Sequence, residues 1–361
     1  MKKWEILIKW IEENGGKISN ITMNDKRQIL ATKELDIGEK IMKIPKKLHI
    51  TGNMEQVMFK LIQEMNVGDK SFYYPYLNIL PTFGDFKDHP LVITQKKGNE
   101  FLRKCIPIST EFTSYIIELS KMFNNIRDRL LVGGTSPNTN FMYYFLLIQT
   151  RAWITKEGDG ELMVSMIPAM DLLQHCNVGT SFGTMEKDGN FTMKTNFKYE
   201  KGSEVYDSYG FKDNIMLLAQ YNFRAIPPIQ PVDIETANKV LDKELKRIKM
   251  YYNDHPYFTS KGPNECLLAS FRVLNTELKK LEMLKKQDEN YFAQIYDINV
   301  EQKSLKQILN AIKESKISKI TFSPNDEPVI YNLKLAVHDK NTIFKNILEA
   351  IQHYCPDDYI F

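Results

Sequence analysis

Apolar residues recur along this chain at two periods, and the changes from one to the other divide it into segments. The opening WEILIKWIEENGG sets Trp4, Leu7 and Ile11 on one helical face and is stopped by Asn14-Gly15-Gly16. From Lys17 to Thr51 short runs alternate and break at turns, with Pro45 ending EKIMKIP, which predicts small β-sheets. From 54 to about 155 the period lengthens in VMFKLIQEM, FLRKCI, SYIIELSKMF and FMYYFLLIQTRAWI. These segments predict a helical insertion, with the polar GGTSPNTN at 133–140 as its main loop. Strands are expected again after Gly160, where Asp188-Gly189 reads as a hairpin turn and Phe191, Met193 and Phe197 share a face. Beyond about Pro227 the period is helical, and Leu267, Phe271, Leu274, Leu278 and Leu281 form one buried stripe. The prolines of IPPIQP (226–231) mark a boundary that gives domains 1–226 and 227–361.

Composition narrows the function classes. At 361 residues there is room for two domains and a large core, and a net charge of +3 with both signs interleaved excludes the concentrated basic face of a nucleic-acid binder. Glu5 and Lys9 interrupt the apolar run that a signal peptide needs, and no stretch has the apolar length of a bilayer span, so no membrane partner is expected. Cys105, Cys176, Cys266 and Cys355 stand singly with no CxxC pair, which fits reduced thiols in the cytoplasm or the nucleus.

Four segments carry candidate chemistry. SMIPAMDLLQHCN spaces Asp171 and His175 four apart, beside Gln174, Cys176 and Asn177. On a helix the pair would share a face and could hold a metal, but a third ligand at matching spacing is missing, and a hydrogen-bonded structural histidine is the default. KGSEVYDSYGFKDN ends a strand at Tyr209-Gly210, where a phenol packs and bonds through its hydroxyl. In IQTRAW, Arg151 interrupts an apolar helix and requires an anionic partner, either a structural carboxylate or a ligand. FYYPYLNILP, bounded by Pro75 and Pro81, reads as core.

Taken in order, the segments resemble the SET-domain methyltransferases with a Rubisco-methyltransferase-type substrate-binding domain, a group that includes lysine methyltransferases and the actin-histidine methyltransferase. ILATKELDIGEKIMKIPKKLHIT, YYPYLNILP, TRAW, PAMDLLQHCN, EVYDSYGFKDNIMLLAQYNF and NECLLASFRVL each resemble a family segment, over nearly the whole chain. The resemblance implies an α+β fold: a SET domain of short β-sheets with a helical insertion, followed by an all-α C-terminal domain. It implies S-adenosylmethionine as cofactor, no metal, and a protein substrate, with actin or another abundant cytosolic protein as candidates and a monomer as the expected state. Tyr209 matches the catalytic tyrosine. Arg151 matches the arginine on the donor's carboxylate, Asp171, Gln174 and His175 the Asp-x-x-Asn-His positions, and Phe223 the aromatic residue under adenine, with Tyr221 at a neighbouring contact.

Two features depart from that pattern. The family's G-x-G before the "L-x-A-T" segment is replaced by Lys26, Arg27 and Gln28, with Arg27 assigned to the donor site, and Gln174 stands for the asparagine before the histidine. Trp153, two residues after the arginine, resembles the lysine-directed members, since an aromatic wall attracts an ammonium. Lys212 and Asp213, with the helical domain, are expected to read the surrounding protein sequence. Two other classes remain open: a SET-fold binding module without turnover, and a metal-dependent hydrolase using Asp171 and His175.

Overall fold

Helix α1 (Lys3–Glu13) buries Trp4, Leu7, Trp10 and Ile11 and gives way to short strands at Gly16, where a Cβ would lie 2.5 Å from Ile11 and 2.9 Å from the Lys43 carbonyl. Only glycine allows that approach. The strands are β1 (Lys17–Ile18), β2 (Ile21–Met23), β3 (Ile29–Ala31), β4 (Lys40–Ile44) and β5 (Ile50–Gly52). This is a computed structural model, and it describes residues 2–354 apart from 157–159, 178–179, 253, 289, 296 and 315–318. Cys355 lies outside the described residues.

The helical insertion follows as α2 (Met54–Val67), α3 (Tyr74–Leu77), α4 (Pro90–Lys97), α5 (Asn99–Cys105), α6 (Thr110–Val132) and α7 (Phe141–Arg151). It ends at Arg151; residues 153–156, expected as its tail, form strand β6 (Trp153–Lys156). Then come β7 (Leu162–Met166), β8 (Gln174–His175), β9 (Thr180–Met185), β10 (Phe191–Thr195) and β11 (Tyr206–Asp207). Three sheets result, ordered β1-β4-β10-β9-β11-β8, β5-β7-β6 and β2-β3. The β9–β10 hairpin turns at Asp188-Gly189, with Phe191 opposite Met185 and Gly189 at φ 79°. Phe191 and Met193 are buried, whereas Phe197, expected on the same face, lies beyond the end of β10 and is 54% exposed. Strand pairing stops before it, so nothing fixes its alternation.

Residues 1–210 and 218–225 form one compact unit, and 211–217 with 226–361 form a second. The segment 211–217, expected in the first domain, thus groups with the second; it opens α8 (Asn214–Tyr221). The second unit is mostly helical, with β12 (Gln230–Pro231), α9 (Lys239–Tyr252), β13 (Tyr257–Thr259), β14 (Gly262–Pro263), α10 (Glu265–Leu274), α11 (Leu278–Gln287), α12 (Ile298–Glu314) and α13 (Pro328–Tyr354). Its small sheet β12-β13-β14 is an addition to the all-α expectation. The leucine stripe expected as one helix is broken between α10 and α11, so Leu281 is buried while Leu278 is 38% exposed. Buried Glu244 holds α9 in place: it accepts from Lys285 at 2.6 Å, Arg247 at 2.8 Å and the Tyr291 hydroxyl at 2.9 Å. A buried carboxylate persists only with such partners.

Candidate active site

Two strands of two residues each assemble the centre of the site. β11 runs parallel to β8 on one side and to β9 on the other, with Asp207 opposite His175 and Tyr206 opposite Gln174. The chain leaving β11 therefore carries Tyr209 to the His175 ring. The Tyr209 backbone N–H donates to His175 Nδ1 at 3.0 Å, and the Tyr209 hydroxyl donates to the Leu173 carbonyl at 2.7 Å. A backbone N–H can only donate, so Nδ1 is the acceptor and Nε2–H donates a hydrogen bond to Asn177 Oδ1 at 3.0 Å. Both ring nitrogens are occupied.

Aromatic rings close around this pair. Tyr209 lies 5.2 Å from His175, 5.1 Å from Tyr221 and 6.0 Å from Phe223, and Phe223 is 5.8 Å from His175, all as ring centroids. Burial pushes the Tyr209 phenol well above its ordinary range and the Tyr221 phenol up to about 12. Both stay neutral at physiological pH, as hydrogen-bonding groups rather than bases.

Arg151 ends α7 and donates to the Asp171 carbonyl at 2.7 Å, with Asp171 Oδ2 at 3.7 Å. The Asp171 side chain is fully buried and Oδ2 accepts from the Tyr76 hydroxyl at 2.9 Å. Burial pushes this carboxyl up to about 6, against the pull of the Arg151 guanidinium. Arg151 Nε and Asp171 Oδ1 are buried without a hydrogen-bond partner among the described residues. Such orphaned groups are costly.

A cleft of about 600 Å³ opens beside Arg151, lined also by Lys26, Arg27, Gln28, Asp85, His89, Gln174, Glu204 and Tyr221. Arg27 donates to the Ile79 carbonyl at 2.6 Å, and Gln28 to Glu204 at 2.7 Å. Gln174 turns its amide back to the Leu172 carbonyl at 3.4 Å. Burial takes His89 down to about 4, so its imidazole is uncharged near neutrality.

The structure thus brings together Tyr209, His175, Tyr221 and Phe223, and lines one cleft with Arg27, Arg151, Gln174 and Tyr221. Trp153 stands apart: it packs edge-on to Phe191 at 4.9 Å, against Gly183, and is in neither set. Lys212 belongs to the second unit, where burial lowers its ammonium below the ordinary value. The metal arrangement fails on local structure. Asp171 sits on a single 3-10 turn (Met170–Leu172) and His175 on a strand, not on one helix, and no group of three or more potential metal ligands occurs among the described residues. Sequence reasoning passed over Tyr76 as mere core, and missed Asp207 and Asp85. The signal at Tyr76 was a hydroxyl inside an otherwise apolar, proline-bounded run.

No protein-family model matches the chain. Among curated proteins it is similar to SET domain-containing protein 4 of Homo sapiens and of Mus musculus, 24% identical to each over 255 residues, or 63% of this chain. The match covers 56% of each relative, so the chain spans about half the length of the curated relatives it matches. Among solved structures it resembles the SET domain of LSMT bound to lysine and AdoHcy (TM-score 0.54, 15% identity, 99% of this chain and 92% of that one). Rubisco LSMT bound to AdoMet (0.54, 15%) and Rubisco LSMT bound to sinefungin and monomethyllysine (0.54, 16%) match to the same degree, each over 98% of this chain and 92% of the other. The chain has the SET fold in the form found in Rubisco LSMT.

Proposed function

We propose that the chain is an S-adenosylmethionine-dependent protein methyltransferase that methylates a lysine side chain. The observation that carries this reading is Tyr209, held at its hydroxyl by Leu173 and at its backbone by His175, with its ring 5.1 Å from Tyr221, which lines one cleft with Arg151. The similar LSMT structures bind AdoMet, lysine or monomethyllysine, which supports the same donor and acceptor classes here.

The residues present fit the donor. Arg151 brings a guanidinium to the cleft wall, which suits an incoming carboxylate, and the Tyr221–Phe223 rings suit an adenine. The donor supplies an electrophilic methyl group on a sulfonium, which a neutral amine takes in line while the thioether leaves. What the chain contributes is alignment and a dry site, worth up to roughly 7–11 kcal/mol in well-oriented systems. Burial around Tyr209 and Tyr221 disfavours a charged group and so favours the neutral amine of lysine, which forms when the ammonium gives up its proton before attack. The Leu173 carbonyl and the Tyr209 hydroxyl it binds are oxygens able to accept weak C–H contacts from a polarised methyl group. Selection of the protein around the lysine falls to the helical second unit and Lys212 in this reading.

Calorimetry with S-adenosylmethionine, followed by label transfer from the methyl-labelled donor to cytosolic protein, tests the proposal. Micromolar binding that Arg151→Ala loses by about tenfold or more, and that Tyr209→Phe keeps while losing transfer by about a hundredfold, is expected. Label retained on lysine after hydrolysis of the product supports the acceptor, and label on histidine replaces it. Absence of donor binding leaves a SET-fold binding protein.

A further inference from the structure

The turn between β2 and β3 sends a cation into the cleft. Asn24 Oδ1 accepts from the N–H groups of Lys26 and Gln28, each at 3.0 Å, and Arg27 N–H donates to the Asn24 carbonyl at 3.0 Å, so one asparagine closes the turn. Inside it Arg27 has φ 65°, left-handed backbone that favours glycine. A long charged side chain is thus held at a backbone angle that disfavours it, and such strain points to use. The guanidinium is turned inward, anchored on the Ile79 carbonyl, half-buried, and close enough to Arg151 for the two charges to work against each other.

The nearby acids only partly balance these two charges: Asp171 Oδ2 lies 3.7 Å from Arg151, Asp85 and Asp171 are within electrostatic reach of Arg27, and each acid is shared with neutral donors. Asp85 accepts from Thr82 N and Oγ1 at 2.7 and 3.0 Å, Asp171 from Tyr76, and Glu204 from Gln28 and Tyr206 at 2.7 and 3.0 Å. Arg151 Nε has no partner at all among the described residues. Two guanidiniums lining one cleft form a receptor for a planar anion.

We propose that Arg27 and Arg151 jointly bind the carboxylate of the methyl donor, so that this chain recognises the donor's amino-acid end with paired side-chain charge where the related pattern has two glycines. The inference rests on the donor reading above. It makes Arg27 a specificity residue: the donor needs its carboxylate, not only its adenosine and sulfonium.

Calorimetry with S-adenosylmethionine and with decarboxylated S-adenosylmethionine separates the two ideas. The intact chain should bind the decarboxylated compound at least about tenfold more weakly. Arg27→Gly suits the left-handed backbone and so should fold; it should weaken S-adenosylmethionine by about tenfold yet change the decarboxylated compound by less than about twofold. Arg27→Gln, which keeps a donor for Ile79 and removes the charge, should show the same contrast, and Arg27→Lys should fall between. Equal losses for both compounds, or unchanged S-adenosylmethionine affinity in the glycine and glutamine variants, would overturn the paired site. If the unmodified chain binds neither compound, the donor reading itself fails, and this inference with it.

Discussion

Asp207 takes its carboxyl into burial two residues before Tyr209, and that burial pushes it up to about 8, relieved only in part by the Ser208 backbone. The phenols of Tyr199, Tyr209 and Tyr221 lie within its electrostatic reach and none brings a positive charge. The acid therefore stays protonated in the folded chain up to about pH 8, whereas in the unfolded chain it ionises near its ordinary value of 3.8. A raised folded pKa means stability that is complete below the unfolded value and is lost as pH rises, here between about pH 4 and 8. Asp207→Asn keeps the shape and removes the ionisation. Its stability advantage over the unmodified chain should grow across that window, by roughly 3 to 5 kcal/mol from pH 4 to pH 8. Urea midpoints at the two ends measure it, and an advantage that does not change with pH would mean that Asp207 ionises in the fold. Arg151 and Tyr209 were legible because each breaks its local pattern, a charge in an apolar helix and a phenol at a strand end. Asp207 was not, since its burial depends on β8, β9 and β11, which are drawn together from separate parts of the chain.

At the scale of elements, Gly183 shows what the period of a strand leaves out. It sits in β9 opposite Met193, and a Cβ there would overlap the Phe191 ring and lie 2.9 Å from Trp153 Cζ3. The glycine thus makes room for the Trp153–Phe191 edge contact between β6 and β10. Gly183→Ala should destabilise the first unit by about 1–3 kcal/mol, the range of core overpacking, read as a lower denaturant midpoint at unchanged slope. A null result would show that the two rings can part freely. The alternation around Asp188-Gly189 made this hairpin readable, because its strands are five and six residues long. Strands of two residues, such as β8, β12 and β14, have no period to read, and the strand expected to end at Tyr209-Gly210 is β11, which stops at Asp207, so half of the site's centre and the small sheet of the second unit were invisible to pattern. The break between α10 and α11 was hidden for the opposite reason. Leucines keep a helical interval across Asn275–Glu277 although the backbone does not: the first helix is capped at Asn275 and the second starts after extended backbone at Glu277.

For the whole molecule the two units keep separate cores, and in the second these are the clusters around Ile248 with Tyr291 and around Phe258 with Phe344. A chain of this kind has no single unfolding free energy, so ligand effects are best followed residue by residue. All the residues assigned to the donor belong to the first unit, in the turn 24–28, at Arg151 and between Asp171 and Phe223 outside 211–217. Binding there stabilises whatever must be folded to form the site, by about 2.7 kcal/mol at a donor concentration a hundred times the dissociation constant. Amide exchange by opening of β8 and β11 should accordingly slow by about a hundredfold in saturating S-adenosylmethionine. The turn closed by Asn24 should gain protection too, because Arg27 loses its freedom when the carboxylate is bound. In Arg27→Gly at matched saturation, β8 and β11 should still be protected while the turn is not. Protection confined to the turn would place the ligand at the mouth of the cleft, away from Tyr209, and would separate anion binding from methyl transfer.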